Sequence, residues 1–136
     1  MRNEILNTLK TDLLRLEKVK NVTFRALSLD EINYSNTPFV MIFALSEDIK
    51  RWENTRISTF EIGVSCVLYA DDRNPDKLKD TIEIFIEDVK QWIDSELDLY
   101  KIDGVEYFDL IKISPVFNAG DDLGIVEFIF QIVYVN

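Results

Sequence analysis

The chain has 136 residues, of which 47% are apolar and 12% aromatic, and it carries a net charge of −10. That length and apolar fraction predict one folded domain over residues 1–136 and exclude a disordered chain. The acidic balance excludes tight nucleic-acid binding, because neutralising phosphates takes clustered Lys and Arg.

A lone Cys66 cannot form an intrachain disulfide, so nothing calls for an oxidising compartment. The start "MRNEILNTLK" has no apolar signal-like core, and no apolar run reaches bilayer-spanning length. A soluble, cytoplasmic protein with no membrane partner is expected.

Over residues 3–18, Ile5, Leu6, Leu9, Leu13 and Leu16 recur at helical spacing, which predicts an amphipathic helix. "NVTFRAL" alternates and predicts a short strand. Pro38 suits the start of the next strand, since it cannot donate to a ladder. "FVMIFAL" from Phe39 to Leu45 is apolar throughout, as a central strand is. The polar stretch "SEDIKRWENTR" (46–56) reads as a connection. Phe60, Ile62, Val64, Cys66 and Leu68 then alternate with Thr59, Glu61, Gly63 and Ser65 in a further strand, giving a wide hairpin.

"ADDRNPDKLKD" holds helix-start chemistry, with Asn74 as N-cap and Pro75 at the first helical position. Leu78, Ile82, Phe85, Ile86, Val89 and Ile93 form the buried stripe of a helix running to about Glu96. "YFDLIKISPVFN" predicts a strand bent near Pro115, and "AGDDLG" is a tight connection into the closing strand, "GIVEFIFQIVYVN". The resulting order is α-β-β-β-α-β-β. This is an α+β fold with two helices packed on one face of a mainly antiparallel, four- to five-stranded sheet.

The closing strand raises a difficulty for a lone subunit. Val126, Phe128, Phe130, Ile132 and Tyr134 point to one face, and Glu127, Ile129, Gln131, Val133 and Val135 to the other. The first set suits a core under two helices. The second is still mostly apolar, yet it faces the side that no helix covers. Either a loop folds across that side or another subunit does, and self-association is the favoured expectation because such a patch is costly on a monomer.

Charge is uneven as well. Residues 2–25 hold six basic and three acidic groups, whereas residues 57–100 hold four basic and eleven acidic ones. Two solvated helix faces of different sign would account for this, and so would unlike surfaces that orient self-association.

Catalytic signatures are thin. Without His, the commonest general base and metal ligand is missing, and the four glycines are scattered rather than gathered in a phosphate loop. Cys66 falls on the apolar side of its strand and is expected to be a structural thiol. Asp71, Asp72 and Asp76 are better explained as turn and capping carboxylates than as metal ligands, and Asp121 and Asp122 as turn residues. No catalytic residue, cofactor or metal is expected. Arg51, Trp52 and Arg56 have the character of interface anchors, although Trp52 could instead tuck over the bare face of its own subunit. The interface candidates are therefore Arg51, Trp52, Arg56, Asp121, Asp122, Ile129, Val133 and Val135.

Taken in order, several segments carry a likeness across nearly the whole chain. They are the helix "EILNTLKTDLLRLEKV", the proline-led strand "TPFVMIFAL", a polar loop, the strand "STFEIGVSCVLYA", the helix "RNPDKLKDTIEIFIEDVKQWI" and the closing "LIKISPVFNAGDDLGIVEFIFQIVYV". In this order and spacing the chain resembles the tail terminator (tail completion) proteins of long-tailed bacteriophages. The resemblance implies a non-enzymatic virion protein, assembled in the host cytoplasm at the head-proximal end of the tail. It also implies a ring, typically a homohexamer, that caps the tail tube protein, stops its polymerisation and receives the head-completion or connector protein. DNA would pass through such a ring without specific binding. A head-tail connector ring and a small dimeric cytoplasmic adaptor are the alternatives.

Overall fold

In a computed structural model of the chain, residues 1–116 and 120–136 are described. The elements are α1 (Arg2–Leu14), β1 (Asn21–Thr23), β2 (Phe39–Trp52), β3 (Thr55–Tyr69), α2 (Leu78–Ile93), β4 (Val105–Val116) and β5 (Leu123–Val135). Five strands form one sheet in the order β1-β2-β3-β5-β4, parallel between β1 and β2 and antiparallel elsewhere. The expected α+β class and the order α-β-β-β-α-β-β are those observed.

Alternation sets the core. Phe60, Ile62, Val64, Cys66 and Leu68 of β3 and Val126, Phe128, Phe130, Ile132 and Tyr134 of β5 lie on one face and are buried with the apolar stripes of both helices. Each such side chain taken out of water contributes about 1.5–3 kcal/mol. Phe130 stacks on Phe108 at 5.1 Å between ring centroids and meets the Trp92 indole edge-on at 6.1 Å. The start of α2 follows its capping chemistry. Asn74 Oδ1 accepts from the Asp76 N–H at 3.0 Å, and Pro75 opens a short 3-10 turn that leads into the helix.

Four expectations need correction. The stretch 46–56 is strand rather than connection, for β2 continues to Trp52 and β3 begins at Thr55. Polarity there reflects exposure, since β2 is an edge of the sheet along this stretch and only the tip around the turn, beyond the Ile57–Val135 pair, projects past β5. The hairpin's two-residue turn places Glu53 at φ 56°, the positive φ that primed hairpin turns require. Second, α1 stops at Leu14 rather than at residue 18, and Lys18 already has φ 81°. Third, α2 ends at Ile93 rather than near Glu96.

Fourth, β4 is irregular between Val105 and Tyr107 and between Leu110 and Lys112, and not at Pro115, which stays in register with Val126. As β4 is an edge strand, Pro115 is tolerated there. The expected continuation of β4 through Phe117 and Asn118, and Ala119 of the connection after it, lie outside the described residues.

Among the described residues, the face away from the helices is covered at one end only. Ile32 and Leu27, from the segment between β1 and β2, pack on Phe39, Met41 and Val67 to make a second, smaller apolar cluster. Among the described residues no helix is long and apolar enough to cross a membrane.

Candidate assembly surfaces

Register assigns the uncovered part of the sheet. Phe43, Gly63, Ile129 and Lys112 lie in one row across β2, β3, β5 and β4. Asp48, Thr59, Val133 and Tyr107 form another row, and Ile57 pairs with Val135. Ile129, Val133 and Val135 are half-buried by their neighbours, while Glu127 is exposed. Leu45, 51% exposed, lies over Gly63, whose missing side chain leaves it room: a Cβ there would sit 3.2 Å from Leu45 Cδ1. The result is a surface of aliphatic groups set among polar and charged side chains. Its apolar part lies open in the isolated subunit.

The hairpin arm ends in Trp52, which is 73% exposed and therefore does not tuck over its own sheet. Ile49 is exposed on the same strand. Arg51 and Arg56 face each other in register, and among the described residues neither makes an ion pair. Like charges directly opposed on a ladder are unfavourable, so the arm presents a cationic pair beside a bare indole.

At the other end of the sheet lies a cleft of about 650 Å³ between the first half of α2, the end of β3 and residues 34–38. Tyr34, Leu68, Ile84 and Phe85 supply apolar walls, and Lys18, Lys20 and Lys77 share the lining with Asp71, Asp72 and Asp88. Beside it the Arg73 guanidinium sits 4.7 Å from the Tyr69 ring centroid and 5.3 Å from that of Tyr34, and its Nε donates to Asp122 Oδ2 at 2.7 Å. That bond raises the pKa of Arg73.

The acid clusters fasten loops. Asp72 accepts from Lys77 Nζ at 2.8 Å, a bond that holds its carboxyl below the usual range. The Asp71 N–H donates to Thr81 Oγ1 at 3.0 Å. Asp122 both binds Arg73 and accepts from the Ala70 N–H through its backbone carbonyl at 2.7 Å, whereas Asp121 is exposed in the connection. Among the described residues no group of three or more Asp, Glu or Cys could hold a metal ion. Cys66 is buried, and burial pushes its thiol pKa up, away from reactive thiolate.

Part of the charge asymmetry is satisfied within the chain. Arg15 pairs with Asp98 at 2.7 Å and Lys18 with Asp88 at 3.9 Å, while Arg2 and Lys10 lie over the Phe60 and Phe24 rings. The cleft was not anticipated from the sequence. Two signals pointed to it: Ile84 falls off the apolar stripe of α2, and Tyr34 stands alone in a polar segment.

No protein-family model matches the chain, and no curated protein matches it. Among solved structures, a chain from the virion of a native gene transfer agent particle has a similar fold. The TM-score is 0.54 at 9% identity, over 97% of this chain and 92% of that one.

Proposed function

We propose that the chain is a virion structural protein, a tail terminator whose ring caps the tail tube, ends its polymerisation and forms the surface to which the head docks. The observation that carries this reading is the fold likeness along almost the full length of both chains to a component of a gene transfer agent virion. The open aliphatic sheet face and the projecting arm agree with it, since both are surfaces that a finished monomer would not leave bare. A ring of identical subunits closes through two unlike surfaces, and the open sheet face and the hairpin arm are two unlike surfaces. Ile129, Val133 and Val135 act on the open face, and Arg51, Trp52 and Arg56 on the arm. Asp122 is already engaged by Arg73, so Asp121 is the more available of the connection's two acids. DNA crosses the ring without sticking, in keeping with a net charge of −10.

Electron microscopy of particles assembled with and without the chain tests this. Overlong or unjoined tails in its absence support a terminator. Tails of normal length with unattached heads would assign a head-tail connector instead. Native mass spectrometry adds a second readout, in which a hexamer supports the ring and a compact dimer opposes it.

A further inference from the structure

We infer that two copies of this chain pair edge to edge through β2, the segment Ser46–Trp52 of each lying antiparallel to the same segment of the other about a two-fold axis at Ile49. The inference stands apart from the ring reading, because a two-fold contact joins two copies and closes no ring. It describes the free chain before any ring forms. The joined segments lie between the two bodies, so the pair is elongated rather than compact.

The first observation is the edge itself. β1 pairs with β2 only at Phe39, Val40 and Met41. From Ser46 to Trp52 the strand therefore has β3 on one side and, among the described residues, no strand on the other. Past the slip between Ala44 and Ser46 its register runs unbroken to Trp52, and it contains no proline. Seven extended residues offer about 23 Å of unpaired backbone. The opposite edge of the sheet is blunted. β4 carries two register irregularities and Pro115, and Asp109 Oδ1 already accepts the Leu110 N–H at 2.8 Å. Such devices keep an edge from being joined. On β2 the only device is charge, and the order of those charges selects the partner.

That order is the second observation. The segment reads "SEDIKRW", two acids and two bases placed symmetrically about one isoleucine. Antiparallel pairing about Ile49 sets Glu47 opposite Arg51 and Asp48 opposite Lys50, each twice, so every charge in the segment meets its opposite. The faces agree as well. Glu47 and Arg51 stand across from Phe60 and Arg56 on the helix side, and Asp48 and Lys50 across from Thr59 and Ile57 on the bare side. Among the described residues none of the four makes an ion pair within the chain. Glu47 Oε1 accepts from the Tyr134 hydroxyl at 2.7 Å, which leaves its second oxygen for a guanidinium. A carboxylate beside Arg51 also relieves the like charge of Arg56 across the ladder. Sliding the pair by two residues would bring Lys50 onto Lys50 or Asp48 onto Asp48, so charge fixes a single register.

The third observation is apolar. Leu45, Ile49 and Trp52 are the most exposed large apolar side chains among the described residues. In this register the two Ile49 side chains meet at the axis. Trp52 falls opposite Ser46 on the bare side, beside Leu45, which lies over Gly63 on that same side. One contact thus covers all three.

Cysteines read the register. Opposed residues of an antiparallel pair have Cα atoms about 4.5–5.5 Å apart, which is within disulfide reach. Under mild oxidation of the full chain, Ile49→Cys is expected to form a linked pair about 10-fold faster or more than Ser35→Cys, an exposed control away from the edge. The native Cys66 is buried and does not compete. Mixed Asp48→Cys and Lys50→Cys chains are expected to link to each other in preference to themselves. Charge supplies a second readout. Asp48→Lys sets lysines opposite each other on both sides of the axis and is expected to weaken pairing about 10-fold or more in sedimentation equilibrium. Adding Lys50→Asp to that variant restores opposite charges across the axis, and pairing is expected to return. Both positions are exposed, so neither change disturbs the core.

A double variant as weak as Asp48→Lys alone would overturn the inference. So would Ile49→Cys that links no faster than Ser35→Cys, or a wild-type chain that stays monomeric at high concentration. Each of these leaves the terminator reading to the electron microscopy of tails. Tails that end and join normally without the chain would overturn that reading and leave the pair standing.

Discussion

The carboxylate of Asp12, fully buried, accepts the backbone N–H of Leu99 at 2.9 Å, joining α1 to the turn that follows α2. Its other oxygen accepts the Asp98 N–H at 3.0 Å, and the backbone carbonyl of Asp12 accepts the Trp92 indole N–H at 3.0 Å. One residue of α1 thus caps the 3-10 turn Asp98–Lys101 and anchors the end of α2. Asp12→Ala leaves two amide donors without their acceptor in a buried place. The expected loss is about 3 kcal/mol, since each stranded donor costs about 1–3 kcal/mol. Urea denaturation checks it, and a loss below about 1 kcal/mol would mean that water replaces the carboxylate. Asp12→Asn, which keeps an acceptor, is expected to lose less.

Next to this clamp, Arg15 donates to Asp98 at 2.7 Å and Lys101 lies 3.3 Å from the same carboxylate. The Arg15 hydrogen bond is the main cause holding the Asp98 carboxyl below its ordinary pKa. A carboxyl depressed on folding contributes stability above its unfolded pKa and loses that contribution as pH falls through the folded value. The wild type is therefore expected to melt higher than Arg15→Gln at neutral pH, with the gap closing below about pH 4, where ordinary carboxylates protonate. Melting curves at stepped pH measure this. A gap that stays constant to strongly acidic pH would place the contribution of Arg15 in packing.

Legibility in the sequence followed burial. Strands buried on at least one face, such as β3 and β5, show clean alternation, and the stripe of α2 with the Asn74-Pro75 start located that helix to within about three residues at each end. The arm from Ser46 to Arg56 failed for a physical reason. Most of its residues are exposed, and the half-buried Glu47 is held by the Tyr134 hydroxyl rather than by apolar contact, so little selects apolar residues there and the pattern that marks a strand is lost. The bend placed at Pro115 erred because proline is tolerated on an edge strand, where its missing N–H faces no partner. For the candidate site, Trp52 and Ile129 could be named because large apolar groups in polar company stand out. The cleft could not, because its lining comes from three separate segments, around residues 18–20, 34–38 and 68–88.

Gly104 tests the other end of the closing strand. It adopts φ +94°, and its carbonyl accepts the Val135 N–H at 2.8 Å. A Cβ there would lie 2.7 Å from the Val135 carbonyl oxygen, a backbone atom that cannot move aside without opening the end of β5. Gly104→Ala combines a disfavoured left-handed conformation with that clash, and a loss of about 2 kcal/mol or more is expected. Hydrogen exchange should show the amides of Tyr134 and Val135 opening first. Protection unchanged at both positions would mean that the turn relaxes locally.

Ile129→Glu separates the role of the open face in folding from its role in assembly. Ile129 pairs with Lys112 on β4 and with Gly63 on β3. In the isolated subunit a glutamate there is half-solvated and has a cation directly across the ladder. An opposite-charge pair of that kind contributes about 0.2–1 kcal/mol, which offsets part of the lost apolar contact. The melting temperature is expected to fall by only a few degrees. Under a neighbouring subunit the same carboxylate would be buried in an aliphatic row, where an unpaired charge is strongly disfavoured. Rings should therefore be lost although the subunit still folds. Sedimentation velocity at matched concentrations reads this directly. Rings that persist with Ile129→Glu would leave the open face outside the subunit contact.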